Sequence, residues 1–295
     1  MTGSEFIDRL PFIILCLLPA LMAPAQDTVT YPCAKTRRFS VGLDYYFNRA
    51  RLDYSYYSSA VYWNSSLIGE RTLSGDELDE MNSYKKVMSA LNTFRISFGM
   101  VILCKTHWNI GGKVSLGPSS FSYDIHNTRL DSLERKMSSG FTSPVAGLDF
   151  DFGYHFNPRW GIALQPSVLY TFGTTSRITD NEFPEIPYFQ ETRKNIFHYI
   201  YTRINLLASY TINGFTVSAG PGFYYLYLAN HYRINRTTPL SGYTYDTEVS
   251  TSFYTKSFFD GCIVVDWTII PALSLGICCA IGNDFFIQPG VRYNF

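Results

Sequence analysis

Apolar and non-apolar residues alternate with a period of two along most of this chain. From Trp160 through Ile162, Leu164, Pro166, Val168 and Tyr170 to Phe172, every second position is apolar, with Gly161, Ala163, Gln165, Ser167, Leu169 and Thr171 between them. Successive side chains of a strand point to opposite faces, so the pattern predicts a strand with one apolar face. Ten such segments recur, at 38–48, 92–104, 108–119, 144–156, 160–172, 195–210, 214–230, 251–267, 272–282 and 284–295. They are longer than the roughly 5 to 6 residues usual in globular sheets. They match the roughly 9 to 11 residues of a tilted strand that crosses a bilayer.

The connections alternate in length. Short links at 105–107, 157–159, 211–213 and 268–271 interleave with long polar ones at 49–91, 120–143, 173–194 and 231–250. A tight hairpin at Gly282, Asn283 and Asp284 is the exception. Short turns on one side and long loops on the other are the layout of an antiparallel up-and-down transmembrane β-barrel. An even number of strands puts both termini on the short-turn, periplasmic side. Trp108, Trp160 and Trp267 each sit beside a short turn in the apolar parity of their strands, as an aromatic girdle at one membrane interface requires.

The ends of the chain agree with this all-β reading. Gln288, Gly290, Tyr293 and Phe295 resemble the C-terminal strand signal of bacterial outer-membrane barrels, polar-x-Gly-x-x-aromatic-x-aromatic. That resemblance implies delivery to the barrel-assembly machinery and residence in outer-membrane lipid. The apolar run Leu10 to Ala23, followed by Ala23-Pro24-Ala25, reads as a signal peptide over 1–25. A periplasmic segment over 26–37 and a barrel domain over 38–295 would then follow. Glu5 and Asp8 depart from the usual basic start of such a peptide.

Composition narrows the alternatives. A mean hydropathy of −0.03 leaves no room for several membrane helices of about 20 apolar residues each. Tyr and Phe, 23 of each, suit strands and membrane interfaces. Lys plus Arg equals Asp plus Glu at 24, without the basic surplus that nucleic-acid binding needs. No residue pattern points to a cofactor or metal. The strand pattern, the prolines inside strands at Leu164-Gln165-Pro166 and Ala219-Gly220-Pro221, and the C-terminal signal resemble the PorT-like outer-membrane β-barrel family of Bacteroidota. That resemblance implies an integral barrel and leaves its activity open.

The inward parity carries Arg95, Lys113, Asp149, Asp151, His155, Arg203, Asp260, Asp266 and Arg292. In a lumen of about ten strands, which side chains largely fill, these charges are expected to pair into a network that closes the interior. A narrow small-solute channel is the alternative. Asp124 and His126 near one rim, with Asp149 and Asp151 on the following strand, resemble the paired carboxylates and His of omptin proteases, which activate water by general-base chemistry. The order and strand placement differ from the omptin arrangement, so ordinary lumen and loop residues are the preferred reading and no enzyme is expected. The tyrosine-rich flank Tyr54, Tyr56, Tyr57, Tyr62 and Trp63, followed by acidic Asp76, Glu77, Asp79 and Glu80, extends the first hairpin or contacts a partner. Pairing Trp267 with Leu273 across the turn at 268–271 sets Cys262 opposite Cys278 as a disulfide candidate, with Cys33 and Cys104 as a second. Function is therefore expected to be non-enzymatic, with external loops suited to partner contact or envelope assembly.

Overall fold

The computed structural model describes residues 39–183, 186–237, 243–255, 259–282 and 284–295. The expected signal peptide at 1–25 and the segment at 26–37 lie outside the described residues. Within them the strands are β1 (Phe39–Trp63), β2 (Ser66–Thr72), β3 (Lys85–Cys104), β4 (Trp108–Asn127), β5 (Ser132–Ser138), β6 (Ser143–His155) and β7 (Trp160–Phe183). The order continues with β8 (Ile186–Ile212), β9 (Phe215–Thr237), β10 (Thr244–Tyr254), β11 (Phe259–Ile270), β12 (Leu273–Gly282) and β13 (Asp284–Asn294). Among the described residues a single α-helix, α1 (Gly75–Tyr84), precedes β3.

Antiparallel pairing runs β1-β3-β4-β6-β7-β8-β9-β11-β12-β13 and returns to β1. Closure leaves the ring no free edge, so strand backbone groups pair with one another instead of facing the bilayer. These ten strands are the ten segments expected from the alternation. The closing seam is made at the chain end, where Phe39 and Phe295 exchange backbone hydrogen bonds of 3.3 and 2.9 Å.

The ring is not uniform along its axis. β10 and β11 are successive stretches of one segment along β9, with Tyr227 opposite Tyr254 and Phe223 opposite Phe259. The hairpin β12–β13 is short, ending where Gly282 opposes Asp260 and Asp284 opposes Ala50. Beyond that point β10 pairs directly with β1, beginning at Asp53 and Tyr254. The β12–β13 hairpin is thus a wedge: ten strands surround the lumen at the end holding Phe39 and Phe295, and β1, β3, β4, β6, β7, β8, β9 and β10 surround it toward the long hairpins. About eight strands leave an interior just wide enough for side chains to fill.

Hydrophobicity turns inside out between these levels. On β1 the outward residues Phe39, Val41, Leu43, Tyr45 and Phe47 give way to Arg49 and Arg51, while inward Asp44 gives way to Ala50, Leu52 and Tyr54. On β4 the outward Ile110, Val114 and Leu116 give way to Ser120, Ser122, Asp124 and His126, and inward Lys113 and Ser115 to Phe121, Tyr123 and Ile125. The exposed apolar belt, represented by Phe94, Ile96, Phe98, Met100 and Ile102 on β3, is far larger than a soluble monomer presents to water. It is a lipid-facing surface.

Past the belt lies a conventional core. Phe121, Phe197, Tyr199, Leu52, Leu91, Leu226, Leu228 and Phe253 are buried together inside the ring, with Phe121 stacked on Phe197 at 4.8 Å. Burying each such side chain contributes about 1.5 to 3 kcal/mol. The expected polar loops at 49–91, 120–143, 173–194 and 231–250 are therefore mostly strand: β1 continues to Trp63, and β7 and β8 stay paired to Phe183 and Ile186. Alternation persists there with the apolar parity reversed, which makes those stretches look like loops to a one-parity reading. The tyrosine-rich flank belongs to this extension, paired with β10 and β2. The acidic stretch forms α1, where Ser74 and Glu77 make a reciprocal capping box.

Candidate functional site

The ten-stranded half of the lumen holds a cavity of about 370 Å³. It exists because this level has two more strands than the level above it. Its walls carry Asp44, Arg95, Lys113, Asp149, Asp151, Gln165, Arg203, Asp266 and Arg292. Alternation delivers each of these from the strand parity opposite the lipid belt.

Two ion-pair clusters form where the cavity meets the apolar core. In the first, Arg95 Nε donates to Asp44 Oδ1 at 2.6 Å, and Lys113 Nζ lies 3.5 Å from Asp44 Oδ2 and 3.0 Å from Asp149 Oδ2. In the second, Arg203 donates to Asp260 Oδ1 at 2.6 Å, Asn205 Oδ1 at 2.6 Å and the Tyr201 hydroxyl at 2.9 Å. Arg203 and Asp260 have side chains 2% and 0% exposed. A pair this buried costs several kcal/mol of desolvation per ion; Asn205 and Tyr201 satisfy the other donors of Arg203, whereas Asp260 Oδ2 has no hydrogen-bond partner among the described residues. Gly222 makes that geometry possible, because a side-chain carbon there would overlap Asp260 and Arg203. The guanidinium of Arg95 also lies over the Tyr46 ring and that of Arg203 over Phe286, each at 5.1 Å. These layers seal the ceiling of the cavity.

The remaining expected network members are less tightly joined. Gln165 Nε2 donates to Asp151 Oδ1 at 2.9 Å. Asp266 and Arg292 line the cavity but form no ion pair within 4.0 Å among the described residues. Asp44, the hub of the first cluster, was absent from the inward charges read from sequence. The apolar run Phe39, Val41, Leu43, Tyr45 and Phe47 carried the signal, since it places Asp44 in the opposite parity. The interior is thus not filled throughout: side chains close the eight-stranded half and leave the ten-stranded half open.

Asp124 and His126 occupy the outward parity of β4, whereas Asp149 and Asp151 face the lumen from β6. The strand wall separates the two pairs, so they do not converge on one water.

Cys262 and Cys278 both face inward, as expected, but their register differs by two residues. Cys262 opposes Ala280 and Cys278 opposes Val264, because the connection is a two-residue turn at Pro271 and Ala272 preceded by a bulge. A slip of two preserves the faces and turns direct opposition into a diagonal. The sulfurs lie 3.6 Å apart as free thiols, so the expected disulfide is absent. Cys104 is disulfide-bonded, and Cys33, its expected partner, lies outside the described residues.

The expected girdle is built from pairs of rings. Trp108 meets Tyr154 at 4.9 Å, Trp160 meets Tyr210 at 4.8 Å, and Trp267 stacks on Phe215 at 5.1 Å. Tyr293 and Phe295 continue it to Phe39. In the C-terminal strand Gly290 opposes both Gly276 and Asp44. A Cβ on Gly290 would stand 3.1 Å from that of Asp44, so glycine there lets the seam close beside the network's hub. Gln288 faces the lumen in the same parity.

Closed antiparallel pairing, an apolar exterior and an aromatic girdle define an integral β-barrel of the outer-membrane type. No protein-family model and no curated protein matches the chain. Among solved structures it is similar to the translocator domain of the autotransporter NalP from Neisseria meningitidis, at 8% identity and a TM-score of 0.40, covering 100% of this chain and 98% of that one. It is also similar to the outer membrane protease OmpT from Escherichia coli, at 10% identity, TM-score 0.36 and coverage of 91% and 99%. A third is the outer membrane protein OprG from Pseudomonas aeruginosa, at 10% identity, TM-score 0.34 and coverage of 88% and 98%. At these values the barrel's own geometry carries the reading.

Proposed function

We propose that the protein is a non-enzymatic, PorT-like outer-membrane barrel, closed to solutes, that presents its long hairpins outside the cell to an envelope or extracellular protein partner. Insertion proceeds through the barrel-assembly machinery acting on the strand that ends in Tyr293 and Phe295. Both termini are periplasmic. The placement of short turns at the girdle end and long hairpins at the other supports that orientation.

The observation that carries closure is the aromatic and aliphatic layer of Phe121, Phe197, Tyr199, Leu91 and Leu226 above the charged cavity. A hydrated ion would have to lose its water shell to cross it. Planar-bilayer recording of the purified protein tests this reading. The expected result is no stable conductance step, and a reproducible step would replace closure with the small-solute channel.

A further inference from the structure

Beyond the lipid belt three arginines are held by carboxylates. Arg71 is held by Glu77 at 3.0 Å, Arg129 by Glu80 at 3.5 Å, and Arg233 by Asp246 at 2.8 Å and Glu248 at 3.5 Å. Arg49, Arg51 and Lys86 are exposed in the outward parity of β1 and β3 and make no ion pair among the described residues. They are also neighbours. Arg49 and Arg51 are two residues apart on one face, about 7 Å along the strand. Arg51 opposes Met88, which sets Lys86 on the diagonal, about 7 to 8 Å away. His126 extends the group, opposite Lys86 on β4. Two carboxylates lie in this neighbourhood: Asp53, two residues beyond Arg51 on β1 and buried, and Asp124, opposite Met88 and Lys136 and two strands from Arg51.

Like charges set side by side repel, and no ion pair among the described residues offsets that cost for Arg49, Arg51 or Lys86. Their level does supply an explanation. Arg49 is the next outward residue after Phe47, whose ring lies 6.0 Å from Phe285 in the lipid belt. The cluster therefore begins where acyl chains end and headgroups start. Guanidinium forks match phosphate oxygens in pairs.

We propose that Arg49, Arg51 and Lys86 form a binding site for the phosphate groups of an outer-leaflet glycolipid, whose acyl chains lie along the outward faces of β1, β3 and β13. The site rests on the outer-membrane reading above. The phosphate bridges the two arginines, and Lys86 takes a second anionic group farther from the membrane.

The test is native mass spectrometry of the detergent-purified protein with bisphosphorylated lipid A, with its dephosphorylated form, and with inorganic phosphate alone. Wild type is expected to retain the bisphosphorylated lipid. R49Q/R51Q/K86Q should retain it at least about tenfold less, since each basic side chain at an anionic membrane surface contributes a sizeable share of the attraction. K105Q/R159Q, which removes charge at the opposite rim, should bind as wild type does. Heat-modifiable gel migration establishes that each variant is folded. Equal retention by wild type and the triple variant, or equal retention of the dephosphorylated lipid, would overturn the site. Binding of inorganic phosphate as tight as that of the lipid would overturn the lipid assignment. Density-gradient fractionation of the wild type separates the two readings: outer-membrane recovery with no preference for lipid A rejects the site alone, and recovery elsewhere rejects the outer-membrane reading itself.

Discussion

The two halves of this barrel solve opposite problems with one chain. Around the girdle, ten strands meet lipid with Phe, Leu, Ile and Trp and enclose a charged cavity; beyond the β12–β13 wedge, eight strands meet water with Arg, Lys and Ser and enclose an apolar core. The first half is an inverted protein and the second a conventional one. Strand count links them, because removing two strands narrows the lumen until side chains fill it. Where filling is complete the interior needs no charge. Where it is incomplete, charges line the gap, and Asp44, Arg95, Lys113 and Asp149 pair along its wall.

The largest expected effect falls on the boundary between the halves. Asp260→Ala leaves the Arg203 guanidinium buried without its counter-ion and should destabilise the barrel by about 3 to 5 kcal/mol, measured by urea titration in lipid vesicles. Loss of less than about 1 kcal/mol would mean that the pair is hydrated and the ceiling open.

Next is the inversion itself. Val168 faces lipid, 44% exposed, and Ser167 lines the cavity. Val168→Arg should cost about 2 to 4 kcal/mol in the same titration and Ser167→Arg much less. Equal costs would contradict the assignment of faces.

The smallest effect lies at the far hairpins, in water. Ser74→Ala removes the N-cap of α1 and should weaken that helix locally by about 1 kcal/mol, seen as faster amide exchange at 75–84 with the barrel unaffected. The Glu77 carboxyl is held below the usual carboxylate range, first by the Ser74 backbone N–H and then by the Arg71 guanidinium. A lowered folded-state value means that its stabilisation is present above the ordinary carboxylate range and is lost as pH falls through the lowered value. Amide protection of α1 should therefore decline on acidification below the usual carboxylate range, and a flat profile would refute the capping role.

The inverted half was the legible half. A single apolar parity facing lipid survives from Trp160 to Phe172, and the girdle and the C-terminal strand add independent marks at one end. The conventional half resembles loops in sequence because its apolar parity switches sides, as at Leu116 and Phe121 on β4, and a polar outward face then looks like a connection. Asp44 escaped for a related reason: one acidic residue among aromatics looks incidental until the strand is paired. Register across the last turn differs by two residues from the one alternation implies, because the bulge before Pro271 is not encoded by alternation. The shift sets Cys262 and Cys278 on a diagonal while keeping both on the inward face.

Side-specific labelling tests most directly the claim that one half of the lumen is open and the other filled. With Cys262, Cys278 and Cys279 replaced by Ala, single variants Ser274→Cys in the cavity and Ser89→Cys in the apolar half are exposed to a membrane-impermeant maleimide. Ser274→Cys is expected to label only when the reagent reaches the periplasmic side, and Ser89→Cys, where the native residue is 1% exposed, from neither side. Labelling of Ser274→Cys in intact cells would contradict the account, because reagent would then have passed through the layer of Phe121, Phe197 and Tyr199.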